Sequence, residues 1–271
     1  MDKVEYIFCI NPGRSGSEYL CRLFAAAENC AAVHEPLPVC NGAAMQAFLH
    51  GRSGPLDRLM PDKMASIAAI KGEKAVYAET NNCFIKGFGW RIPEQVEQTR
   101  IGVVMLRRNQ EAIVQSYLRI GVSCLTNTGR KWHILPSKPA PLIEPPVRIF
   151  DAALTYQLAR WLAGPFRNSK MRRVFGLRRM SFVPRWVSRY EADAIRWYVQ
   201  ETWAMAEAFK TRFPKIRCYE TDVSALNELQ KVQEMFAFFG LEPSATLPSV
   251  VGIATNLKSH RVPAGDGPMS G

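Results

Sequence analysis

The sequence predicts an α/β fold, a parallel β-sheet flanked by helices, on three observations. Runs of β-branched and aromatic residues alternate with stretches of helical period, and the run at 101–106 is apolar almost throughout, as in a strand buried on both faces. The first run also ends in a Pro-Gly turn that opens into a helical stripe. With 271 residues, 47% hydrophobic, 22% charged and 10% aromatic, the chain is neither disordered, collagen-like nor a disulfide-stapled mini-protein. At this length a single domain spanning 1–271 is expected, with insertions.

Residues 4–10 read as the first strand, because Val4, Tyr6, Ile7, Phe8 and Ile10 are strong strand formers. Leu20, Leu23, Phe24 and Ala27 then recur at helical spacing and define one apolar face. A short strand at 31–33 stops at His34-Glu35-Pro36, where proline opposes continuation. Strands follow at 75–80 and 101–106, and Ile113, Val114, Tyr117 and Leu118 mark the next helix. Residues 126–146, rich in Pro and Lys, read as a long loop placed to act as a lid. Helices at 152–162 and 192–209 flank a basic block, 216–221 reads as the last strand, and 227–239 as a helix closed by Gly240. The small residues of 264–271 form a flexible tail.

The formal net charge is +11, and one block carries most of it. Between Asp151 and Glu191 there is no acidic residue, while Arg160, Arg167, Lys170, Arg172, Arg173, Arg178, Arg179, Arg185 and Arg189 contribute +9. Such a block attracts phosphate, sulfate or an anionic membrane face. Its interleaved aromatics, Trp161, Phe166, Phe175, Phe182 and Trp186, suit peripheral membrane contact or acceptor docking, and equally a solvated basic face whose apolar residues pack inward. The seven cysteines are odd in number and contain no CxxC pair, which fits neither a zinc site nor a disulfide framework. With an acidic, short-apolar N-terminus and no run long enough to span a bilayer, a reduced, cytoplasmic protein is expected. His50, His133 and His260 are too dispersed to suggest a metal site, and solvent-facing roles are expected of them. Trp90, Trp132 and Trp161 are candidates for an acceptor pocket, with core packing the default, and Cys9 and Cys21 read as small buried hydrophobes.

Two segments carry chemistry. Asn11-Pro12-Gly13-Arg14-Ser15-Gly16-Ser17 lies between the first strand and first helix, where glycines let backbone N–H groups approach an anion and the helix start faces it. Arg14 adds a charged fork, and Ser15 and Ser17 add hydroxyls. The GxxxxGK[ST] spacing is missing, so the loop is P-loop-like without implying ATP and magnesium. The second segment is Leu106-Arg107-Arg108-Asn109-Gln110-Glu111-Ala112-Ile113-Val114-Gln115-Ser116-Tyr117, with an arginine at a strand end and a serine eight residues later on a helix.

This second segment resembles the 3'-phosphate-binding segment of the sulfotransferases that use 3'-phosphoadenosine 5'-phosphosulfate. The first loop is similar to their 5'-phosphosulfate loop, in the Arg-Ser-Gly-Ser form of carbohydrate sulfotransferases, and His34-Glu35-Pro36 is similar to their Glu-Pro element. The resemblance covers about 4–36 and 103–119. It implies that Arg14, Ser15, Gly16 and Ser17 hold the 5' side of the donor, that Arg108 and Ser116 hold the 3'-phosphate, and that no metal takes part. Many relatives have lysine where Arg14 stands, so Arg14 either protonates the leaving phosphate or only neutralises its charge. For the base, Glu35 matches the family position while His34 has the more suitable intrinsic pKa, and Glu35 is favoured. The glycine-rich C-terminal element of many relatives is absent, and Asn256, Leu257, Lys258 and Arg261 are candidates to replace it. The acceptor is expected to be a hydroxyl of a carbohydrate, lipid or small molecule, with the basic region 126–190 favouring an anionic one. A P-loop-like kinase and a basic module binding membrane or nucleic acid, with a vestigial nucleotide pocket, are the competing readings; nucleic acid is the less expected partner.

Overall fold

In the computed structural model of the chain, residues 3–146, 158 and 182–253 are described, the side chains of 182–185 excepted. Five strands, β1 (Tyr6–Ile10), β2 (Cys30–His34), β3 (Val76–Thr80), β4 (Ile101–Arg107) and β5 (Arg217–Asp222), form one sheet in the order β2-β3-β1-β4-β5. Every pairing is parallel, and Phe8 stands opposite Glu79 on one side and Val103 on the other. The α/β class read from the sequence is therefore the observed one.

Parallel strands need crossovers, and helices supply them. In chain order the helices are α1 (Ser17–Ala25), α2 (Gly42–Leu49), α3 (Gly54–Lys71), the single turn α4 (Ile92–Gln95), α5 (Gln110–Arg119), α6 (Asn127–Trp132) and α7 (Phe182–Arg212) between strands, then α8 (Leu229–Phe239) and the single turn α9 (Leu247–Val250) after the last strand. Side chains alternate across the central strands and so build two cores. Ile7, Cys9, Val104 and Leu106 pack with Leu20, Leu23 and Phe24 of α1 and with Phe236 and Phe239 of α8. Phe8, Ile10, Val103 and Met105 pack with Met45 of α2, Leu56 of α3, Ile113 of α5 and Phe209 of α7. Each such fully buried side chain contributes about 1.5–3 kcal/mol relative to exposure.

The topology places a site. The chain leaves β1 toward β2, whereas β4 lies on the other side of β1 and leads to β5. The connections after β1 and β4 therefore diverge at the carboxyl edge of the sheet, and open α/β sheets bind ligands in the crevice this divergence makes.

Several elements differ from the sequence reading. Helices α2 and α3 fill a stretch for which no element is expected, and 126–146 is not loop throughout. It begins with α6, capped by Thr126, whose Oγ1 accepts a hydrogen bond from Gly129 N at 3.1 Å. Helix α7 starts well before residue 192, because Val187, Tyr190, Ala194 and Tyr198 continue a single buried stripe. The expected helix at 152–162, nearly all of the basic block, the candidates Asn256 to Arg261 and the tail 264–271 lie outside the described residues. At the described end of the block, Trp186 and Arg189 are exposed. Among the described residues, no helix is long and apolar enough to cross a membrane.

Candidate functional site

The loop after β1 is shaped by its own side chains. Asn11 Oδ1 accepts from Gly13 N at 2.8 Å, a local turn that asparagine readily makes. Gly13 (φ 78°), Arg14 (φ 56°) and Gly16 (φ 87°) are all left-handed, and α1 begins directly after them. Gly13 has no room for a side chain, since a Cβ there would stand 2.2 Å from Tyr117 Oη. For Arg14, left-handed backbone costs about 1–2 kcal/mol. Tertiary bonds offset that cost: Arg14 Nε donates to Ser116 Oγ at 3.0 Å, and Arg108 Nη1 donates to Arg14 O at 2.6 Å.

The loop is also held from beneath. Tyr117 and Tyr198 each donate a phenolic proton to Pro12 O at 2.8 Å. Lys86, fully buried, donates to Tyr198 Oη at 2.9 Å and to Trp132 O at 2.5 Å. No carboxylate pairs with this lysine among the described residues. Its positive charge therefore sits behind the loop with hydroxyl and carbonyl partners alone, and in a low-dielectric interior it favours an anion on the open side.

That open side is a cleft of about 570 Å³, a size that takes a nucleotide. Arg14, Gly16, Ser17, Arg108 and Ser116 line it from the loop after β1, the start of α1, the end of β4 and α5; His34 and Glu35 line it from the end of β2. Of the described residues expected to bind the donor or act as base, only Ser15 is not on its wall. Its side chain is turned inward, fully buried, and donates to Gly13 O at 3.2 Å, so it braces the loop. The two candidate bases also differ in commitment. His34 Nδ1 is 2.8 Å from Thr80 Oγ1, whereas the Glu35 carboxylate has neither hydrogen bond nor ion pair among the described residues. Glu35 is left-handed (φ 48°), with its N–H donating to Thr80 O at 3.2 Å, which turns the chain sharply before Pro36.

Three further residues stand on the wall, and two of them, Asn82 and Arg119, have no local signature in the sequence as site residues. Asn82 follows β3, Arg119 ends α5, and Trp132 ends α6. Trp132 lines the cleft, while Trp90 packs in the core against Phe209 and Phe213, and Trp161 lies outside the described residues. Cys9 is buried as expected, and Cys21 is partly so. Among the described residues, no group of three or more His, Cys, Asp or Glu is arranged to hold a metal ion.

His133 corrects the expectation of a solvent-facing histidine; His50 is exposed and His260 lies outside the described residues. His133 is buried behind the loop, stacked on Tyr198 with centroids 4.4 Å apart, and its Nε2 has no partner among the described residues. Burial, with the nearby Lys86 charge adding, pushes its pKa down to about 3. Between that value and the ordinary one near 6.5, the unfolded chain binds a proton that the folded chain refuses, so stability falls as pH falls through this window. From pH 7 to pH 4.5 the expected loss from His133 is about 2–3 kcal/mol. Urea unfolding at the two pH values checks it: His133→Phe keeps the stack and is expected to lose that part of the pH dependence.

Compared with protein-family models, with curated proteins and with solved structures, the chain matches none.

Proposed function

We propose that this protein is a sulfotransferase that moves the sulfuryl group of 3'-phosphoadenosine 5'-phosphosulfate to a hydroxyl of a carbohydrate, lipid or small-molecule acceptor. The observation that carries the reading is the Arg14 Nε to Ser116 Oγ bond across 102 residues. It joins, at the topological switch point, two segments that separately resemble the 5' and 3' phosphate sites of that family, on a cleft that also holds the uncommitted carboxylate of Glu35.

The residues present fit such a donor. A loop of three left-handed residues opening into α1, with Arg14 and Ser17 on the cleft, suits the 5' side. Arg108 and Ser116 suit the 3'-phosphate, and the buried Lys86 charge favours the anion as a whole. The donor supplies an activated sulfuryl group; the protein's part is position and electrostatics. Glu35 takes the proton of the acceptor hydroxyl as that oxygen bonds to sulfur. The bond between sulfur and the 5'-phosphate oxygen breaks, its electron pair stays on the phosphate, and Arg14 neutralises the charge that develops there.

Calorimetric titration with adenosine 3',5'-bisphosphate, beside ATP with magnesium and adenosine 5'-monophosphate, tests the reading. The bisphosphate is expected to bind in preference to both, and Arg108→Ala is expected to weaken it about 10- to 100-fold, the worth of a charged hydrogen bond. Equal binding of all three, or preference for ATP with magnesium, would overturn the reading, the second outcome in favour of a kinase.

A further inference from the structure

We propose that Asn82 binds the transferring sulfuryl group, its side-chain amide donating to a sulfuryl oxygen between the phosphate loop and Glu35. This rests on the sulfotransferase reading and assigns a residue that neither sequence segment contains.

Topology brings Asn82 there. Strand β3 lies between β2 and β1, so the turn that follows β3 comes out between Glu35, which follows β2, and Gly13, which follows β1. Asn81 fixes that turn: its Nδ2 donates to Glu79 Oε1 at 3.1 Å, and its Oδ1 accepts from Cys83 N at 2.8 Å. Asn82 therefore leaves a rigid support and lines the cleft.

Its amide is also oriented. Cys83 Sγ lies 3.2 Å from Asn82 Oδ1. Burial pushes the Cys83 thiol up to about 11, so it stays protonated and donates to the amide oxygen placed on that side. The amino group then faces the other way, and Nδ2 lies 2.9 Å from where a Cβ on Gly13 would stand. Among the described residues that N–H₂ has no partner. An uncommitted donor in the gap between the loop that holds the donor and the carboxylate that takes the acceptor's proton meets the group that crosses that gap. The sulfuryl group is anionic and has only oxygens to offer, which suits an N–H₂ and would repel a carboxylate.

The product bisphosphate lacks the sulfuryl group, so the two nucleotides separate this role from a structural one. Affinities for 3'-phosphoadenosine 5'-phosphosulfate and for adenosine 3',5'-bisphosphate, measured without acceptor in wild type, Asn82→Ala, Asn82→Ser and Asn82→Asp, give the test. Asn82→Ala is expected to weaken the sulfated nucleotide about tenfold and leave the bisphosphate within twofold. Asn82→Ser, which keeps a small donor, is expected to fall between, and Asn82→Asp to lose most. Equal weakening of both nucleotides, or of neither, overturns the proposal while leaving the functional reading in place. A wild type that binds neither nucleotide overturns both.

Discussion

Replacing Glu79 with glutamine is expected to destabilise the fold by about 3–5 kcal/mol, because it strands a buried ammonium. Lys63 Nζ lies 2.6 Å from Glu79 Oε2, with the two side chains 0% and 1% exposed. Glu79 also accepts from Tyr77 Oη at 2.7 Å and from Asn81 Nδ2 at 3.1 Å, so both carboxylate oxygens are satisfied. Burial first, and the Glu79 charge second, push the Tyr77 hydroxyl far above its ordinary pKa, which keeps it a donor to the carboxylate. Taking away the negative charge removes the one ion pair Lys63 makes among the described residues and leaves it facing the Phe88 ring at 5.3 Å. The double variant Lys63→Met, Glu79→Gln removes both charges together and is expected to recover most of the loss, since a buried pair replaced as a unit is often neutral. Urea unfolding at pH 7 of the single and double variants decides it: equal losses in the two would mean that the charge pair is not what holds α3 to β3. The effect reaches the cleft, because Glu79 anchors Asn81 and so the turn that presents Asn82.

That same pair explains why part of the fold is hard to read. The buried stripe of α3 is Leu56, Met60, Lys63 and Ile67, a helical spacing broken by a lysine, and Pro61 stands inside the helix. Both features count against a core-facing helix when only local pattern is available, and only the partner on β3, 16 residues on, makes Lys63 a core residue. Helix α6 is similarly hidden, being six residues, four of them polar, that begin at the Thr126 cap. By contrast β1, β4 and α5 are legible because burial on both faces, or on one helical face, writes an uninterrupted local signal.

The site divides in the same way. A glycine-containing loop after a strand, and an arginine and serine eight residues apart across a strand–helix junction, are local grammar, and the structure brings them to one cleft. The direction in which a loop side chain points is not local grammar, which is why Ser15 reads as a ligand yet turns inward to Gly13 O. Lys86, His133 and Tyr198 lie far apart in the sequence, pack together behind the loop and carry no motif; a lone lysine or histidine is ordinarily solvated, and only long-range packing makes these two buried. Asn82 owes its place to the sheet order, with β3 inserted between β2 and β1, which no periodicity encodes.

Glu35→Gln is expected to lower turnover about 10²- to 10⁴-fold while leaving the affinity for adenosine 3',5'-bisphosphate within twofold. Glutamine keeps the size and the backbone of the side chain, so the sharp turn at φ 48° and the Glu35 N to Thr80 O bond are undisturbed. What it removes is the only uncommitted proton acceptor that the end of β2 offers as a carboxylate. His34 is the rival, but its Nδ1 is engaged with Thr80 Oγ1 at 2.8 Å, and its loss is expected to act on the placement of the β2 end more than on the proton. His34→Ala should therefore change turnover by much less than Glu35→Gln. The measurement is conversion of 3'-phosphoadenosine 5'-phosphosulfate to the bisphosphate in the presence of hydroxyl acceptors drawn from a carbohydrate and lipid panel. A silent His34→Ala beside an active Glu35→Gln would leave the cleft without either candidate base. An inactive His34→Ala beside an active Glu35→Gln would move the proton to the imidazole. The expected order, with the carboxylate dominant, rests on Glu35 having no hydrogen bond or ion pair among the described residues, whereas Thr80 Oγ1 fixes the His34 ring at Nδ1 and leaves Nε2 as the one nitrogen that could take the proton.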